Sequence, residues 1–227
     1  MSRGALRFRP FRLLFGAKSI SAFGDRLVPV ALAFAVLDLT GSVTDLGIVL
    51  PCQTVPLAAF VLVGGVWADR LKRQRVMLVS DVVRAAAQGA SAALLLTGNA
   101  RIWELAALQA VYGLAAAFFG PASTAVVPQT VGAESLHQAN ALMGLSGNFA
   151  IVLGPAAAGV LVATIGPGWG LAADAASFVG SVACLAALHV EPVTWLARSS
   201  IVTELRTGWR AFRSRGWLWI TVVLFTL

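Results

Sequence analysis

The sequence predicts an all-α integral membrane protein, a bundle of six membrane-spanning helices. Three observations carry this. Hydrophobic residues make up 58% of the 227 and charged residues only 12%, whereas a soluble domain carries about a quarter charged residues. The apolar residues gather into six long runs with short polar breaks, each near the ~20 residues that a helix needs to cross a bilayer. The basic residues fall almost wholly on alternate breaks. Mean hydropathy is +0.82, which excludes both a soluble globular domain and a disordered chain.

The first element is a tail, residues 1–12, holding Arg3, Arg7, Arg9 and Arg12. A basic stretch before an apolar run resembles a signal peptide. Here, however, the run contains Lys18, Asp25 and Arg26 and lacks a small-x-small cleavage site, so it reads as a first membrane helix. The expected spans are 13–37, 46–68, 76–97, 103–126, 141–165 and 170–189, which together make a bundle over 13–189. Trp67, Trp103 and Trp169 stand near expected helix ends, where indole rings anchor at the interface. The stretch 190–216 reads as a loop with an amphipathic helix. Leu205, Trp209 and Phe212 form its apolar stripe, and Arg206, Arg210 and Arg213 the opposite one. Such a helix lies along the membrane surface or docks on a soluble partner. A further apolar run, 217–227, is too short to cross and reads as the truncated start of a seventh helix.

Orientation follows from the basic residues. The tail, the 69–75 turn and the 190–216 segment hold thirteen of them, and the opposite loops hold only Arg101. Thirteen against one places the N-terminus in the cytoplasm of a multi-pass protein of the inner (plasma) membrane. The same distribution excludes a nucleic-acid face, although the formal net charge is +7. Cys52 and Cys184 both lie inside apolar runs, so neither a disulfide framework nor a metal site is expected. No cofactor is expected either. The chain contains no GxxxxGK[ST] loop, no HExxH and no GxSxG, which leaves a P-loop pump and a membrane hydrolase without their machinery.

Charges inside spans are costly and call for a partner, a wet cavity or a role. Asp25 and Arg26 fall at the centre of the first span. Adjacent helical positions lie about 100° apart, so at least one of them faces the protein interior. Asp25 is either part of an ion pair, with Arg84 or beside Asp81, or a carboxylate that binds protons or substrate. Arg26 is a candidate for the same substrate or proton pathway, with a packing role favoured. Asp81 and Arg84 stand one turn apart and predict an intramembrane ion pair. Lys18 is close enough to the surface to snorkel. Asp174 falls in the first turns of the sixth helix, where the helix dipole favours a carboxylate. Gln53, Gln109 and Asn148 are candidates for a substrate or proton pathway, with Gln88 and Asn140 beside them. Interhelical hydrogen bonding accounts for all five equally well.

After the second span the chain reads Gly65-Val66-Trp67-Ala68-Asp69-Arg70-Leu71-Lys72-Arg73. This resembles the G-x-x-x-D-R-x-G-R-R signature of the major facilitator superfamily, matching at Gly65, Asp69, Arg70 and Arg73, with Lys72 replacing a glycine. The resemblance implies a gate element on the cytoplasmic side. In the fifth span Gly154-Pro155-Ala156-Ala157-Ala158-Gly159 resembles the G-P-x-x-G-G element of exporters in that superfamily, with Ala158 at one glycine. An ordinary small-residue packing face is the plainer reading. In the fourth span Gly113 matches an R-x-x-x-G element, but Gln109 stands where proton-driven members carry arginine. Phe11 to Phe15, Gly24 to Leu27 and Asp174 to Phe178 are similar to the branch with enterobactin-type and macrolide-type exporters.

The resemblance implies a 3+3 inverted repeat forming half of a twelve-helix fold. Spans two and five would be repeat partners, echoed weakly by Pro56 with Gly64 and Gly65 and by Pro155 with Gly159. It also implies a secondary transporter, a proton-coupled exporter of a drug-like or siderophore-like small molecule. Its partners would be the bilayer, protons, the substrate and a C-terminal six-helix bundle absent from this chain. A non-transporting membrane scaffold or remnant is the alternative, and an integral-membrane enzyme is a weaker one.

Overall fold

A computed structural model describes residues 4–190, apart from the Asp69 side chain. The expected loop helix in 190–216 and the run 217–227 lie outside the described residues. Within them the chain forms α1 (Arg9–Asp25), α2 (Val28–Thr40), α3 (Val43–Arg70), α4 (Arg73–Leu96), α5 (Ile102–Thr130), α6 (Leu136–Ile165) and α7 (Pro167–Ala186). Seven helices make six crossings, because α1 and α2 are two parts of one span.

The break in that span is a departure from the unbroken helix expected over 13–37, and Pro29 explains it. Proline has no N–H to donate, and its ring crowds the carbonyl four residues back, here that of Asp25. The ladder tightens instead, with Arg26 N–H bonding to Phe23 O at 3.2 Å and Leu27 N–H to Gly24 O at 2.8 Å. Regular bonding resumes from Ala31 N–H to Leu27 O. Asp25 and Arg26 therefore sit at a discontinuity rather than in a continuous helix.

The other boundaries follow from local chemistry. Gly41 closes α2 at φ +66°, a conformation in which a side chain is strained. Ser42 then caps α3 by accepting from the Asp45 N–H at 3.2 Å. Glu104 accepts from the Arg101 N–H at the start of α5, and Pro167 opens α7. Each crossing starts before the apolar run that announced it, since residues flanking the run extend it into the interface, whereas α7 ends at Ala186, short of the expected 189. Thus α1 begins at Arg9, inside the expected tail, and the Ala5 N–H donates to Gln138 Oε1 at 2.8 Å.

Five of the crossings are long and apolar enough to span a membrane by themselves. The sixth, α4, is long enough at ~36 Å for 24 residues, but it carries Arg73, Arg75, Asp81 and Arg84. Its amphipathicity is reversed. Ser80, Asp81, Arg84, Gln88 and Ser91 are buried, while Val79 and Val82 face outward. Polar groups inside and valines outside suit a helix in lipid.

Around α4 stand α5 and α7, with α1 beside α7, α3 beside α5 and α6 beside α1. Two apolar layers close the bundle. Near the chain's N-terminal end, Phe11, Leu14, Met77, Val126 and Leu185 pack together. Toward the opposite end, Leu32, Val36, Val49 and Leu105 do so. The polar layer lies between them.

Candidate functional site

The site is assembled by antiparallel packing of α4 on α7. Asp81 meets Ser181, Arg84 lies against Phe178, and Gln88 faces Asp174. Each step along α4 is matched by an equal step back along α7, so one register sets all three pairs. At 1.5 Å per residue, the seven residues from Asp81 to Gln88 extend this ladder over ~10 Å of bundle depth.

Arg84 is its centre and is 2% exposed. Its Nη2 donates to Asp81 Oδ1, and its Nη1 lies 3.7 Å from Asp25 Oδ1. The guanidinium carbon stands 4.3 Å from the Phe119 ring centre and 4.4 Å from that of Phe178. The planar cation is thus stacked between two rings, which a lysine ammonium could not reproduce. Asp81 is fully buried, and its second oxygen accepts from Ser181 Oγ at 2.6 Å. A buried charge needs both an opposite charge and hydrogen bonds, and Asp81 has both.

Asp25 sits where α1 ends. Its Oδ1 accepts from the Tyr112 hydroxyl of α5. Tyr112 is 2% exposed, whereas the Asp25 side chain is 34% exposed. This carboxyl therefore joins the buried ladder to the open side of the bundle. The break in the first span positions it there.

At the far end of the ladder, Gln109 Nε2 donates to Gln88 Oε1 at 3.2 Å. Gln88, Gln109 and Asp174 are all fully buried. Gln88 Nε2, Gln109 Oε1 and Asp174 Oδ2 find no hydrogen-bond partner among the described residues. Ser177 Oγ donates to the Asp174 backbone carbonyl at 2.7 Å and lies 3.4 Å from its carboxylate.

The remaining residues singled out from the sequence lie apart from this ladder. Arg26 and Asn148 are exposed, and Gln53 is half-buried on α3. The Gln53 backbone carbonyl lies where a Cβ on Gly113 would be, so Gly113 lets α3 and α5 meet. Toward the C-terminal end of α3, close approach occurs at Gly64, against the Ala117 backbone. Gly65 has nothing within 4 Å of a built Cβ. Arg70 is exposed, and Arg73 Nη1 donates to the Ala125 carbonyl at 2.9 Å, tying α4 to α5. In α6, Gly154 is buried against Arg26, Pro155 is exposed, and Gly159 has open space beside it.

Sequence reasoning passed over Tyr112, Phe119, Phe178 and Ser181 as site residues and treated Asp174 as a helix-dipole carboxylate. One signal was available. Asp174, Phe178 and Ser181 recur at i, i+4 and i+7, a single helix face.

Comparison with known proteins places this chain in a family. Residues 2–225 match the transmembrane secretion effectors. The chain belongs to that family. Transmembrane secretion effectors are a branch of the major facilitator superfamily, and this member is a multi-pass membrane protein with half of that fold. It is 29% identical to the multidrug efflux pump Tap of Mycolicibacterium fortuitum over 96% of this chain and 54% of the relative. It is 31% identical to the enterobactin exporter EntS of Shigella boydii over 88% of this chain and 48% of the relative. For the EntS of Citrobacter koseri the identity is 34%, over 72% and 40%. The chain spans about half the length of the curated relatives it matches.

Proposed function

We propose that this chain is the N-terminal half of a proton-coupled exporter of small organic molecules, acting with a C-terminal six-helix bundle. One observation carries the reading. Asp25 lies at the break in the first crossing, partly open, and is tied to the buried Arg84 and Tyr112. A carboxyl that is wet on one side and coupled to a buried cation on the other can exchange protons and pass the change into the helix packing.

In this reading the N-terminus is cytoplasmic, because thirteen basic residues lie on its side of the membrane. Gly65, Asp69, Arg70 and Arg73 form the cytoplasmic gate element, and Arg73 latches α4 to α5 through Ala125. The exposed surfaces of α3 and α6, with Gln53 and Asn148, border the substrate path between the two halves. Drug-like or siderophore-like substrates are supported by the names of the relatives. Transport, with no reaction centre, also fits a ladder whose groups pair with one another rather than forming a nucleophile and base.

The test is Asp25→Asn in the complete protein, with efflux measured across a range of external pH. The expected result is loss of the pH dependence of efflux. Efflux that persists with the wild-type pH profile would remove Asp25 from coupling.

A further inference from the structure

Asp174 is the least supported carboxylate in the bundle. Asp81 has a guanidinium and a hydroxyl, and Asp25 has a phenol, the same guanidinium and a partly exposed side chain. Asp174 has the distant Ser177 hydroxyl on one oxygen and no hydrogen bond on the other, with the Gln88 amide facing the carboxyl, at 0% exposure. Its surroundings are drawn from every packed element. α1 contributes Asp25, with Lys18 seven residues, or ~10 Å, further along that helix. α4 contributes Arg84 and Gln88, and α5 contributes Tyr112. The ionisable residues of α2 and α6, Asp38 and His137, are exposed near helix ends. Three carboxyls thus share one arginine, and Asp25 and Asp81 already engage it. A third anion there would be buried without a cation, which costs several kcal/mol.

The amide pair beside it is unfinished in a specific way. With Gln109 Nε2 donating to Gln88 Oε1, the Gln88 Nε2 faces a carboxyl and Gln109 Oε1 is left without a donor. Turning both amides over reverses the chain. Gln88 Nε2 then donates to Gln109 Oε1, and Gln88 Oε1 accepts a proton from a neutral Asp174. The three atoms left unpaired above are then paired, and Gln109 Nε2 takes the unpaired place in the second orientation as Gln109 Oε1 does in the first. One orientation suits an ionised Asp174 and the other a protonated one.

We infer that Asp174 is a second proton-holding carboxyl, end-capped by a Gln88–Gln109 amide pair whose polarity reverses when the proton leaves. This rests on the proton-coupled reading above and deepens it. In the step, the Asp174 O–H bond breaks and a new O–H bond forms on the Asp25 carboxylate. Asp174 becomes the anion and Asp25 the acid, so the charge of the cluster is unchanged. Gly24, adjacent to Asp25, lets the Asp174 carboxyl lie against the α1 backbone, since a Cβ at Gly24 would stand only 2.5 Å from its Oδ1.

The experiment is infrared spectroscopy of the full-length protein in lipid at neutral pH, which reads the C=O stretch of protonated carboxyls. Asp174→Asn is expected to remove one such band, and Asp25→Asn to leave it in place. Gln88→Leu is expected to shift the band by removing its acceptor without abolishing it. That variant keeps the test open if Asp174→Asn fails to fold. A band that survives Asp174→Asn, or that ignores Gln88→Leu, overturns the inference. Failure of the coupling reading is recognised separately. In that case the band behaves as expected, but efflux in the wild type does not respond to a proton gradient.

Discussion

Gly154 of α6 lies against Arg26, the residue that closes α1, so closely that a Cβ at 154 would overlap the Arg26 Cβ. The motif glycine of α6 and the break in the first crossing are therefore one feature. Gly154→Ala should destabilise the bundle by about 1–3 kcal/mol, the usual cost of overpacking. Arg26→Gly should restore part of the loss, whereas Arg26→Ala, which retains the Cβ, should not. Thermal unfolding of the purified full-length variants separates the two. Equal rescue by both would mean that the long side chain, not the Cβ contact, is responsible.

Arg84 should be the least replaceable side chain in the bundle. Arg84→Met leaves Asp81 and Asp25 without their shared cation, a change worth about 3–5 kcal/mol. Arg84→Lys should recover little, since an ammonium does not fill the slot between Phe119 and Phe178. Combining Asp81→Asn with Arg84→Met should recover part of the loss. Detergent-resistant folded yield, followed across this set, checks the order.

Two glycines should respond in opposite directions. Gly113→Ala drives a methyl into the Gln53 carbonyl and should push α3 off α5. Gly89→Ala meets only the Ala175 methyl at 4.0 Å and should gain up to about 1 kcal/mol from restricting the unfolded helix. Melting temperatures of the two variants give the comparison. A neutral Gly113→Ala would contradict the close approach of α3 and α5.

Tyr112→Phe removes the hydroxyl that donates to Asp25 and keeps the edge contact with Phe178. Hydrogen bonds to charged groups are worth about 1.5–3 kcal/mol, and the partial exposure of Asp25 places the loss at the lower end. Because packing is conserved, the fold should survive while the pH profile of efflux changes. A profile identical to that of the wild type would detach Tyr112 from the transport cycle.

The six crossings were legible because apolar runs of this length have few other uses. The break at Arg26 was not read, although Pro29 stood in view, because apolar character continues through it. Asp81 and Arg84 could be paired from spacing within one helix. Asp25 was also read as a partner for Arg84, but Ser181 and Phe178 could not be, since they lie about a hundred residues away and depend on a helix-to-helix register that no local pattern encodes. Asp174 illustrates the same limit. Near a helix start, dipole stabilisation accounts for an aspartate fully, and only the packing reveals that it is buried beside two glutamines. Gly65 and Gly159 were read through family motifs. Within this half of the fold, the close contacts occur at Gly154, which opens the same motif as Gly159, and at Gly64, one residue before Gly65.

The reversed amphipathicity of α4 also bears on how the protein is made. At the centre of a crossing, Asp81 and Arg84 each oppose entry into lipid by about 2.5–3.5 kcal/mol, and beside their own pairing and the earlier Asp25, the partners that enclose them, Phe119 of α5 and Phe178 and Ser181 of α7, are synthesised later. α4 is thus a poor candidate for release into the bilayer by itself. Its insertion would wait at the translocon, or remain reversible, until those helices emerge. Damage to the Arg84 ladder would then appear first as misinserted chains cleared by quality control, before any assay of transport could register it.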